Sequence, residues 1–302
     1  MAIHQTTPIQ QLSTLLPGEL AQELEAPGMR LGVEEIRIRS GRRVCYMGNG
    51  WEKQGQILCD PPFCRRLLEA LCEHSAYAME EELREGFFTV AGGCRVGVSG
   101  SLLTRDGIVK RMGEVCGFNI RIAREVRGCA NALIPYLVQD GRAAGMLVLS
   151  KPGVGKTTLL RDAARQLSDG DGKRRGMKVA IADERGELAG MYRGAPSMDV
   201  GERTDVMDGC PKAFAIASMI RSMSPQVIVT DEIGGEAEAG AILDGANCGV
   251  AVLASAHASN IDEAMHRPAI RALVERGCFC YAAVIGRDAY GNRMIEVRGL
   301  GA

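Results

Sequence analysis

Residues 150–158, with the sequence SKPGVGKTT, combine glycines, lysines and threonines in an order that suits the binding of phosphate groups. The usual pattern is G-x-x-x-x-G-K-[ST], and Ser150 stands here where the first glycine is expected. In such a loop, consecutive backbone N–H groups surround phosphate oxygens at the start of a helix. Gly153 and Gly155 supply the backbone freedom that this loop needs. The stretch therefore predicts a nucleoside triphosphate site in spite of Ser150.

The positions of this phosphate loop have different expected roles. Lys156 is expected to reach the β- and γ-phosphates, and the Thr157 hydroxyl is expected to bind Mg²⁺. A chance glycine-rich loop is the alternative, but the apolar strand before the loop and the amphipathic helix after it favour the phosphate site. The residues predicted to contact the nucleotide are Ser150, Lys151, Pro152, Gly153, Val154, Gly155, Lys156, Thr157 and Thr158.

Two pairs of carboxylates follow apolar strands elsewhere in the chain. The stretch 226–232 ends in Asp231 and Glu232, and a second apolar stretch ends in Asp183 and Glu184. In open α/β sheets, ligands bind at the carboxyl ends of the strands. We expect Asp231 to hold Mg²⁺ through water and Glu232 to orient or deprotonate the attacking water. Glu184 is the other candidate for that base. The alternative without a function is that the two carboxylates are a solvated acidic pair at the end of a strand.

A histidine ends a further apolar stretch, at 250–257. A lone histidine is more often structural than functional. His257, however, follows a buried type of strand in a sheet whose other ends already carry the lysine loop and the carboxylates. We therefore favour His257 as a contact to the γ-phosphate.

Residues 141–302 alternate regularly between apolar strands and amphipathic helices. Such alternation predicts an α/β fold with a parallel sheet covered on both faces. Strands are predicted at 145–150, 178–184, 226–232, 250–257, 281–286 and 293–298, and helices at 156–167, 211–222, 236–248 and 261–276. The polar, glycine-rich segments 168–176 and 194–209 are predicted to be loops.

Residues 1–125 follow a different pattern, which predicts a smaller α+β domain. The stretch 34–48 alternates like strands, and 62–86 has the pattern of a helix. The glycine-rich stretch 86–109 is typical of a hairpin with bulges. We expect 126–140 to be a linker between the two domains.

The composition limits the class of protein. The chain has 302 residues, 46% of them hydrophobic, and a formal net charge of −1, so a packed core is expected and general attraction to nucleic acid is not. No apolar run is long enough to cross a membrane, and the start of the chain lacks the pattern of a secretory signal. These features predict a cytoplasmic protein. The eleven cysteines include no C-x-x-C pair, which favours reduced core thiols over a zinc site.

Four motifs occur in an order that resembles the secretion ATPases of type II and type IV secretion and of pilus retraction. The phosphate loop, IADERGE, SPQVIVTDEIGG and SAHASN stand where those proteins have the Walker A motif, the Asp box, the Walker B motif and the His box. The stretches EEIRIRSGRRV and RTDVMDGCPK resemble more closely the stage III sporulation AA family of endospore-forming bacteria. That resemblance runs through nearly the whole chain.

The resemblance implies an ATP-hydrolysing motor with a RecA-like P-loop core of the AAA+ type, which uses ATP and Mg²⁺. It implies a homohexameric ring that acts on membrane-embedded channel proteins between mother cell and forespore, from the cytoplasm of the mother cell. An arginine from the N-terminal domain or from a neighbouring subunit would then neutralise charge on the γ-phosphate. The candidates are Arg95, Arg121 and Arg124, with Arg221 as a further possibility from the core, and a surface role stays open for each.

Two other functions remain possible on the sequence. One is a nucleotide-gated scaffold that binds ATP with little turnover, against which Glu232 and His257 argue. The other is a single-stranded nucleic-acid translocase, whose binding face would be the basic stripe Arg37, Arg39, Arg42 and Arg43. An aromatic content of 4% leaves few platforms for base stacking, so nucleic acid is not the expected partner.

Overall fold

The computed structural model describes residues 7–26, 32–48, 50–73, 79–288 and 293–301. By contacts between residues the chain divides into two compact units. The first unit consists of Met1–Arg124 and Gly190–Met198, and the second of Glu125–Ala189 and Asp199–Ala302.

Helices and strands are numbered along the whole chain. The helices are α1 (Pro8–Ser13), α2 (Gly18–Glu25), α3 (Pro61–Leu71), α4 (Glu80–Glu85), α5 (Ile134–Leu137), α6 (Lys156–Asp169), α7 (Lys212–Met223), α8 (Glu236–Asn247), α9 (Ile261–Met265) and α10 (Pro268–Glu275). The strands are β1 (Val33–Arg39), β2 (Arg42–Gly48), β3 (Trp51–Cys59), β4 (Phe87–Val90), β5 (Cys94–Arg105), β6 (Ile108–Arg121), β7 (Val138–Gln139), β8 (Arg142–Ala143), β9 (Met146–Ser150), β10 (Val179–Asp183), β11 (Met191–Tyr192), β12 (Ala195–Pro196), β13 (Thr204–Asp208), β14 (Val227–Glu232), β15 (Ala251–His257), β16 (Tyr281–Arg287) and β17 (Arg293–Gly299).

The first unit is built on a six-stranded antiparallel sheet in the order β3-β2-β1-β6-β5-β4. The alternation predicted for 34–48 is confirmed as β1 and β2. Ile36 and Ile38 are fully buried and pack in one core cluster with side chains of α2 and α3 such as Leu24 and Leu67. One face of the sheet is therefore covered by helices.

The single helix predicted over 62–86 is wrong. The structure ends α3 at Leu71 and begins α4 at Glu80, while residues 74–78 lie outside the described part of the chain. Glu73 has φ 50°, in the left-handed region where helices commonly end. Its carboxylate accepts hydrogen bonds from the Tyr192 hydroxyl and the Arg193 guanidinium. These bonds hold Glu73 just after the end of α3, an end that the helical pattern of residue types does not reveal.

Residues 190–198 belong to the first unit although the chain on both sides of them belongs to the second. They form the short hairpin β11–β12. A Cβ atom added to Gly190 would lie 2.8 Å from the Gly93 Cα atom, so the close approach of the two backbones requires a glycine there. The hairpin is thus packed into the first unit at two places, at Glu73 and at Gly93.

The second unit is built on a seven-stranded sheet in the order β13-β10-β14-β15-β9-β16-β17. All neighbouring strands are parallel except β16 and β17, which confirms an α/β fold with a mostly parallel sheet. Side chains of α7, α8 and α10 form one core cluster with the central strands, and α6 packs against the other face of these strands.

Two predictions for the second unit are corrected by the structure. The helix predicted at 261–276 is divided into α9 and α10, because Pro268 cannot continue a helix and instead begins the next one. The loop predicted at 194–209 contains β13, which pairs in parallel with β10 at the edge of the sheet. Its side chains are mostly polar and partly exposed, so they lack the apolar run of the central strands.

The segment 126–140, predicted as a linker, groups by its contacts with the second unit. It contains α5 and buries Ala130, Leu133 and Leu137. Along the chain, the first of the boundaries between the two units therefore lies between residues 124 and 125. Whether the two parts of the chain are independent domains with the boundaries expected from the sequence stays a prediction.

Candidate functional site

The phosphate loop lies between the end of β9 at Ser150 and the start of α6 at Lys156. Gly153 and Gly155 have φ +75° and +98°, so the loop uses a backbone conformation that favours glycine at both. Ser150 has no positive φ and its side chain is fully buried. Its Oγ donates to the Lys151 carbonyl at 2.8 Å and accepts from Lys156 Nζ at 3.3 Å. The serine therefore fits the loop and helps to hold its lysine.

Four neighbouring strands bring the predicted residues to one edge of the sheet. β10, β14, β15 and β9 are consecutive and parallel, so their carboxyl ends lie side by side. These ends carry Asp183, Glu232, His257 and Ser150. Ser150 is the direct register partner of His257.

A bulge near the end of β14 decides which carboxylate faces the histidine. Val229 pairs with Leu253, but Glu232 rather than Asp231 pairs with Ser255, so β14 contains one extra residue. Register partners in a sheet project to the same face, and successive residues alternate between faces. The bulge therefore places Glu232 on the face of Ser255 and His257.

Lys156, His257 and Glu232 form a continuous chain of contacts. Lys156 Nζ lies 2.7 Å from His257 Nδ1, and His257 Nε2 lies 3.1 Å from Glu232 Oε2. An ammonium group can only donate, so Nδ1 accepts and the imidazole proton is assigned to Nε2, which donates to Glu232. Burial lowers the pKa of Lys156, and the nearby Glu232 carboxylate opposes that change. The phosphate-loop lysine is thus linked to the favoured base through one histidine.

The carboxylate of Asp231 is held by Lys212, a residue that the sequence analysis missed. Lys212 Nζ lies 2.9 Å from Asp231 Oδ1, 3.7 Å from Glu238 Oε1 and 4.0 Å from Glu184 Oε2. It also donates to the Glu232 carbonyl. The signal was present, because Lys212 ends the string RTDVMDGCPK, but no known motif assigns a role to it.

Asp183 has a structural position at this edge. Its buried carboxylate accepts backbone hydrogen bonds from Glu187, Leu188 and Ala189 at 2.9, 3.0 and 2.8 Å. Burial raises the pKa of Asp183, and these hydrogen bonds oppose the rise. Glu184, the alternative base, is exposed, and its Oε2 lies 4.0 Å from Lys212 Nζ. The geometry thus groups Glu232 with the phosphate loop and Glu184 with Lys212.

The predicted arginine fingers from the N-terminal part lie in the first unit. The Arg95 guanidinium lies 3.9 Å from the centre of the Phe87 ring on the neighbouring strand. Arg121 Nε lies 3.9 Å from a Glu35 carboxylate oxygen. Arg124 Nη1 lies 2.7 Å from Glu34 Oε1.

Arg221, the candidate from the core, is not brought to the phosphate loop. It lies in the last turn of α7, which leads into the amino end of β14, whereas Glu232 lies at the carboxyl end of that strand. Two other arginines reach the site instead. Arg267 Nη1 lies 3.9 Å from Glu232 Oε1, and Arg293 Nη2 donates to the Gly155 carbonyl at 3.1 Å.

Oxygen donors suited to Mg²⁺ are present at the same edge. At nucleotide sites this ion is ordinarily held by one or two protein oxygens together with phosphates and water. Within the described residues no group of three or more His, Cys, Asp or Glu side chains could hold a metal ion by itself. Thr157, in the first turn of α6, and Asp231, at the end of β14, carry a hydroxyl and a carboxylate, which are the kinds of oxygen donor that Mg²⁺ takes, and Asp231 Oδ1 is bonded to Lys212 Nζ at 2.9 Å.

Comparison with known proteins assigns the family. A family model described as "Sporulation stage III, protein AA" matches residues 9–300. The chain belongs to this family. Stage III sporulation protein AA of Bacillus subtilis is 40% identical over 271 residues, which cover 89% of this chain and 88% of that protein. The Arabidopsis thaliana protein SEEDLING PLASTID DEVELOPMENT 1 is 34% identical over 182 residues, which cover 60% of this chain and 25% of that protein. The family resemblance expected from the motifs is confirmed.

Solved structures show that this sporulation-family chain has the fold of secretion ATPases. The ATPase DotB of Legionella pneumophila gives a TM-score of 0.59 at 15% identity, with 98% of this chain and 81% of DotB covered. The pilus retraction motor PilT, solved with bound ADP, gives a TM-score of 0.58 at 15% identity, with 93% of this chain and 83% of PilT covered.

Within the described residues, no helix has both the length and the apolar character needed to cross a membrane.

Proposed function

We propose that this chain is an Mg²⁺-dependent ATPase, which converts ATP and water to ADP and phosphate and drives a sporulation channel complex. The observation that carries the proposal is the chain of contacts from Lys156 through His257 to Glu232 at the carboxyl edge of a parallel sheet. A phosphate-binding lysine and a group that orients or deprotonates the attacking water are recurring parts of sites that hydrolyse a γ-phosphate, and here a histidine joins the two.

The residues of the loop would bind the phosphates in place of their present contacts. Lys156 now donates to the neutral His257 nitrogen and to Ser150. An anionic phosphate oxygen is a stronger acceptor than either, so Lys156 would exchange partners when ATP enters. His257 would then be released from Lys156, and it would contact the γ-phosphate through a ring nitrogen that carries a proton, because a phosphate oxygen can only accept. Mg²⁺, bound by Thr157 and by Asp231 through water, would neutralise phosphate charge.

Glu232 is the proposed base. Its carboxylate lies beside His257, which would orient it toward the water that attacks the γ-phosphate. Glu184 remains the second candidate, and its contact with Lys212 argues for a supporting role.

We further propose that the second unit is the RecA-like core and that the first unit corresponds to the N-terminal domain expected from the sequence. By analogy with the fold relatives, six copies would form a ring on membrane-embedded channel proteins, from the cytoplasm of the mother cell. Arg95 of the first unit would then supply charge to the γ-phosphate, in its own or a neighbouring subunit. Nucleic acid is not the proposed partner. In the basic stripe of the first unit, Arg37 is already paired with Glu35 and Arg43 donates to the Gln56 carbonyl.

The proposal is tested by phosphate release and by equilibrium binding of a fluorescent ATP analogue, over a range of protein concentrations. Lys156→Ala should abolish binding, whereas Glu232→Gln should keep binding and stop release. Lys173→Ala, which changes an exposed lysine of a distant loop, is the matched control and should behave like the wild type.

Each other outcome has a defined meaning. Normal release by Glu232→Gln together with loss in Glu184→Gln would transfer the role of base to Glu184. Binding of ATP and ATP-dependent oligomerisation without release would identify a scaffold. Absence of binding by the wild-type protein would refute the proposed function.

A further inference from the structure

Lys212 is a buried ammonium group in an unusual position. It is the first residue of α7 and is only 7% exposed. The amino end of a helix carries a partial positive charge, so a buried cation there is unfavourable unless other groups offset it. Carboxylates of Asp231, Glu238 and Glu184 lie within 4.0 Å of Nζ and do so. The ammonium group is therefore held in place by its carboxylate partners.

Two of the contacts of Lys212 are made to the bulge of β14. Nζ lies 2.9 Å from Asp231 Oδ1 and also binds the carbonyl of Glu232. Asp231 is the residue that regular pairing would place opposite Ser255, and Glu232 is the residue that the bulge places there instead. Lys212 therefore holds the displaced side chain and the backbone of the residue that replaces it.

The remaining contacts join the bulge to its surroundings. Glu238 belongs to the first turn of α8, and Glu184 follows β10 directly. Through one ammonium group, the starts of α7 and α8 and the ends of β10 and β14 are held together. The carboxylate of Glu232 takes no part in this cluster, since it points to His257.

We propose that Lys212 is a positioning residue, which holds the bulge of β14 so that Glu232, and not Asp231, faces His257. Lys212 does not need to touch the nucleotide for this role. The inference rests on the proposed function, because it concerns the orientation of Glu232, the proposed base. Without the contacts of Lys212, regular pairing of β14 with β15 would turn the Asp231 side chain toward His257 and the Glu232 side chain away from it.

The test is Lys212→Met, which keeps the length of the side chain and removes its charge and donors. We expect kcat for phosphate release to fall about 100-fold, the lower range of what a positioned base contributes, while the affinity for the ATP analogue without Mg²⁺ stays unchanged. In an NMR titration, the His257 imidazole signal, assigned through His257→Ala, should shift because its contact with Glu232 is lost. Lys178→Met, at the exposed amino end of β10, is the matched control.

A second variant separates positioning from charge balance. Lys212→Met combined with Glu238→Gln removes one positive and one negative charge from the cluster, and it should remain as slow as Lys212→Met alone. Recovery of kcat in this double variant, or an unchanged His257 signal in Lys212→Met, would overturn the inference. If Lys212→Met does not fold, Lys212→Gln, which keeps a donor, is measured in the same way.

The two proposals can fail separately. A wild-type protein that neither binds nor hydrolyses ATP would refute the proposed function, whereas the His257 signal of Lys212→Met would still report on the bulge. A wild-type protein that hydrolyses ATP, with Lys212→Met equally active, would refute only the role of Lys212.

Discussion

His257 is the residue that connects the proposed phosphate-binding lysine with the proposed base. Its two ring nitrogens are both occupied, one by Lys156 at 2.7 Å and the other by Glu232 at 3.1 Å. Under the proposed function, the histidine would compete with phosphate for Lys156 and at the same time would orient Glu232. Competition for Lys156 would weaken nucleotide binding, whereas orientation of Glu232 would speed hydrolysis. Binding and hydrolysis can therefore be measured separately.

We predict that His257→Ala slows hydrolysis more than it weakens nucleotide binding, because the release of Lys156 offsets the loss of the proposed contact between His257 and the γ-phosphate. Removal of the histidine frees Lys156 for phosphate but leaves Glu232 without its donor, and the loss of a hydrogen bond to a charged group typically costs about 1.5–3 kcal/mol. Binding of the ATP analogue and phosphate release are measured on the same samples. His266→Ala, an exposed histidine after α9, is the control. A variant that releases phosphate like the wild type, or that loses as much affinity for the analogue as it loses rate, would contradict this prediction.

The sequence could predict the residues that end regular strands but not those that enter from elsewhere. Lys156, Glu232 and His257 each follow an apolar stretch, so their meeting at one edge could be expected from the sheet alone. Lys212 and Arg267 come from the starts of helices. Their place depends on how the helices pack, which residue spacing does not encode. The bulge of β14 could not be predicted from the sequence either, because one extra residue does not interrupt the apolar stretch of the strand.

At the scale of elements, Asp162 of α6 anchors the segment that begins the second unit. Its carboxylate accepts from the Ala130 backbone at 2.8 Å, from Arg165 at 2.8 Å and from Gln166 at 2.9 Å. Burial alone would raise the pKa of Asp162, but these hydrogen bonds outweigh it and the pKa is lowered. An acid with a lowered pKa stabilises the fold above its unfolded pKa of about 3.9, and this stability is lost as the pH falls through the folded value.

We predict that Asp162→Asn lowers the free energy of unfolding at about pH 6 more than at about pH 3, because only the ionised carboxylate makes the full set of contacts. Urea unfolding followed by circular dichroism gives the free energy at each pH. Asp205→Asn, which changes an exposed side chain on β13, should show no such dependence. An equal effect at both pH values would show that charge is not what Asp162 contributes.

The start of β17 supports the phosphate loop from a strand that the motif does not include. Arg293 donates to the carbonyl of Gly155, the residue before α6. We predict that Arg293→Met weakens binding of the ATP analogue about tenfold, since a charged donor to a backbone carbonyl contributes about 1.5–3 kcal/mol. Arg298→Met, farther along β17 and paired with Glu296, is the control. Equal affinity in the two variants would mean that the loop keeps its shape without Arg293.

Elements of the second unit were easier to predict than those of the first. The central strands β9, β10, β14 and β15 begin and end within about one residue of the expected positions, because both of their faces are buried and their sequences are continuously apolar. The edge strand β13 was missed, since one row of hydrogen bonds is enough to hold its polar sequence in the sheet. The division between α3 and α4 was missed because helical spacing does not show a residue of positive φ.

At the scale of the whole molecule, the eleven cysteines are free thiols that differ strongly in surroundings. The exposed ones are Cys116, Cys248 and Cys280. Burial raises the pKa of Cys59, Cys72 and Cys94 to about 11. Because the thiolate is the reacting species, these three should be chemically quiet in the native protein.

We predict that a short pulse of N-ethylmaleimide near neutral pH labels the exposed thiols about 100-fold faster than the buried ones, since both access and thiolate fraction favour them. Mass spectrometry of peptides gives the label at each site. In concentrated urea all eleven cysteines should react alike, which serves as the control. Rapid native labelling of Cys94 would contradict the packing of the first unit.

The hairpin at 190–198 makes the chain cross between the two units at three points rather than one. The second crossing follows Ala189, whose amide is held by Asp183 at the carboxyl edge of the sheet. At the third, Asp199 bonds to the side chains of Glu125 and Arg127, close to the first crossing. A movement of the strand edge on nucleotide binding would therefore pull directly on the first unit through a covalent strap. Such a strap transmits tension, and a surface contact alone cannot.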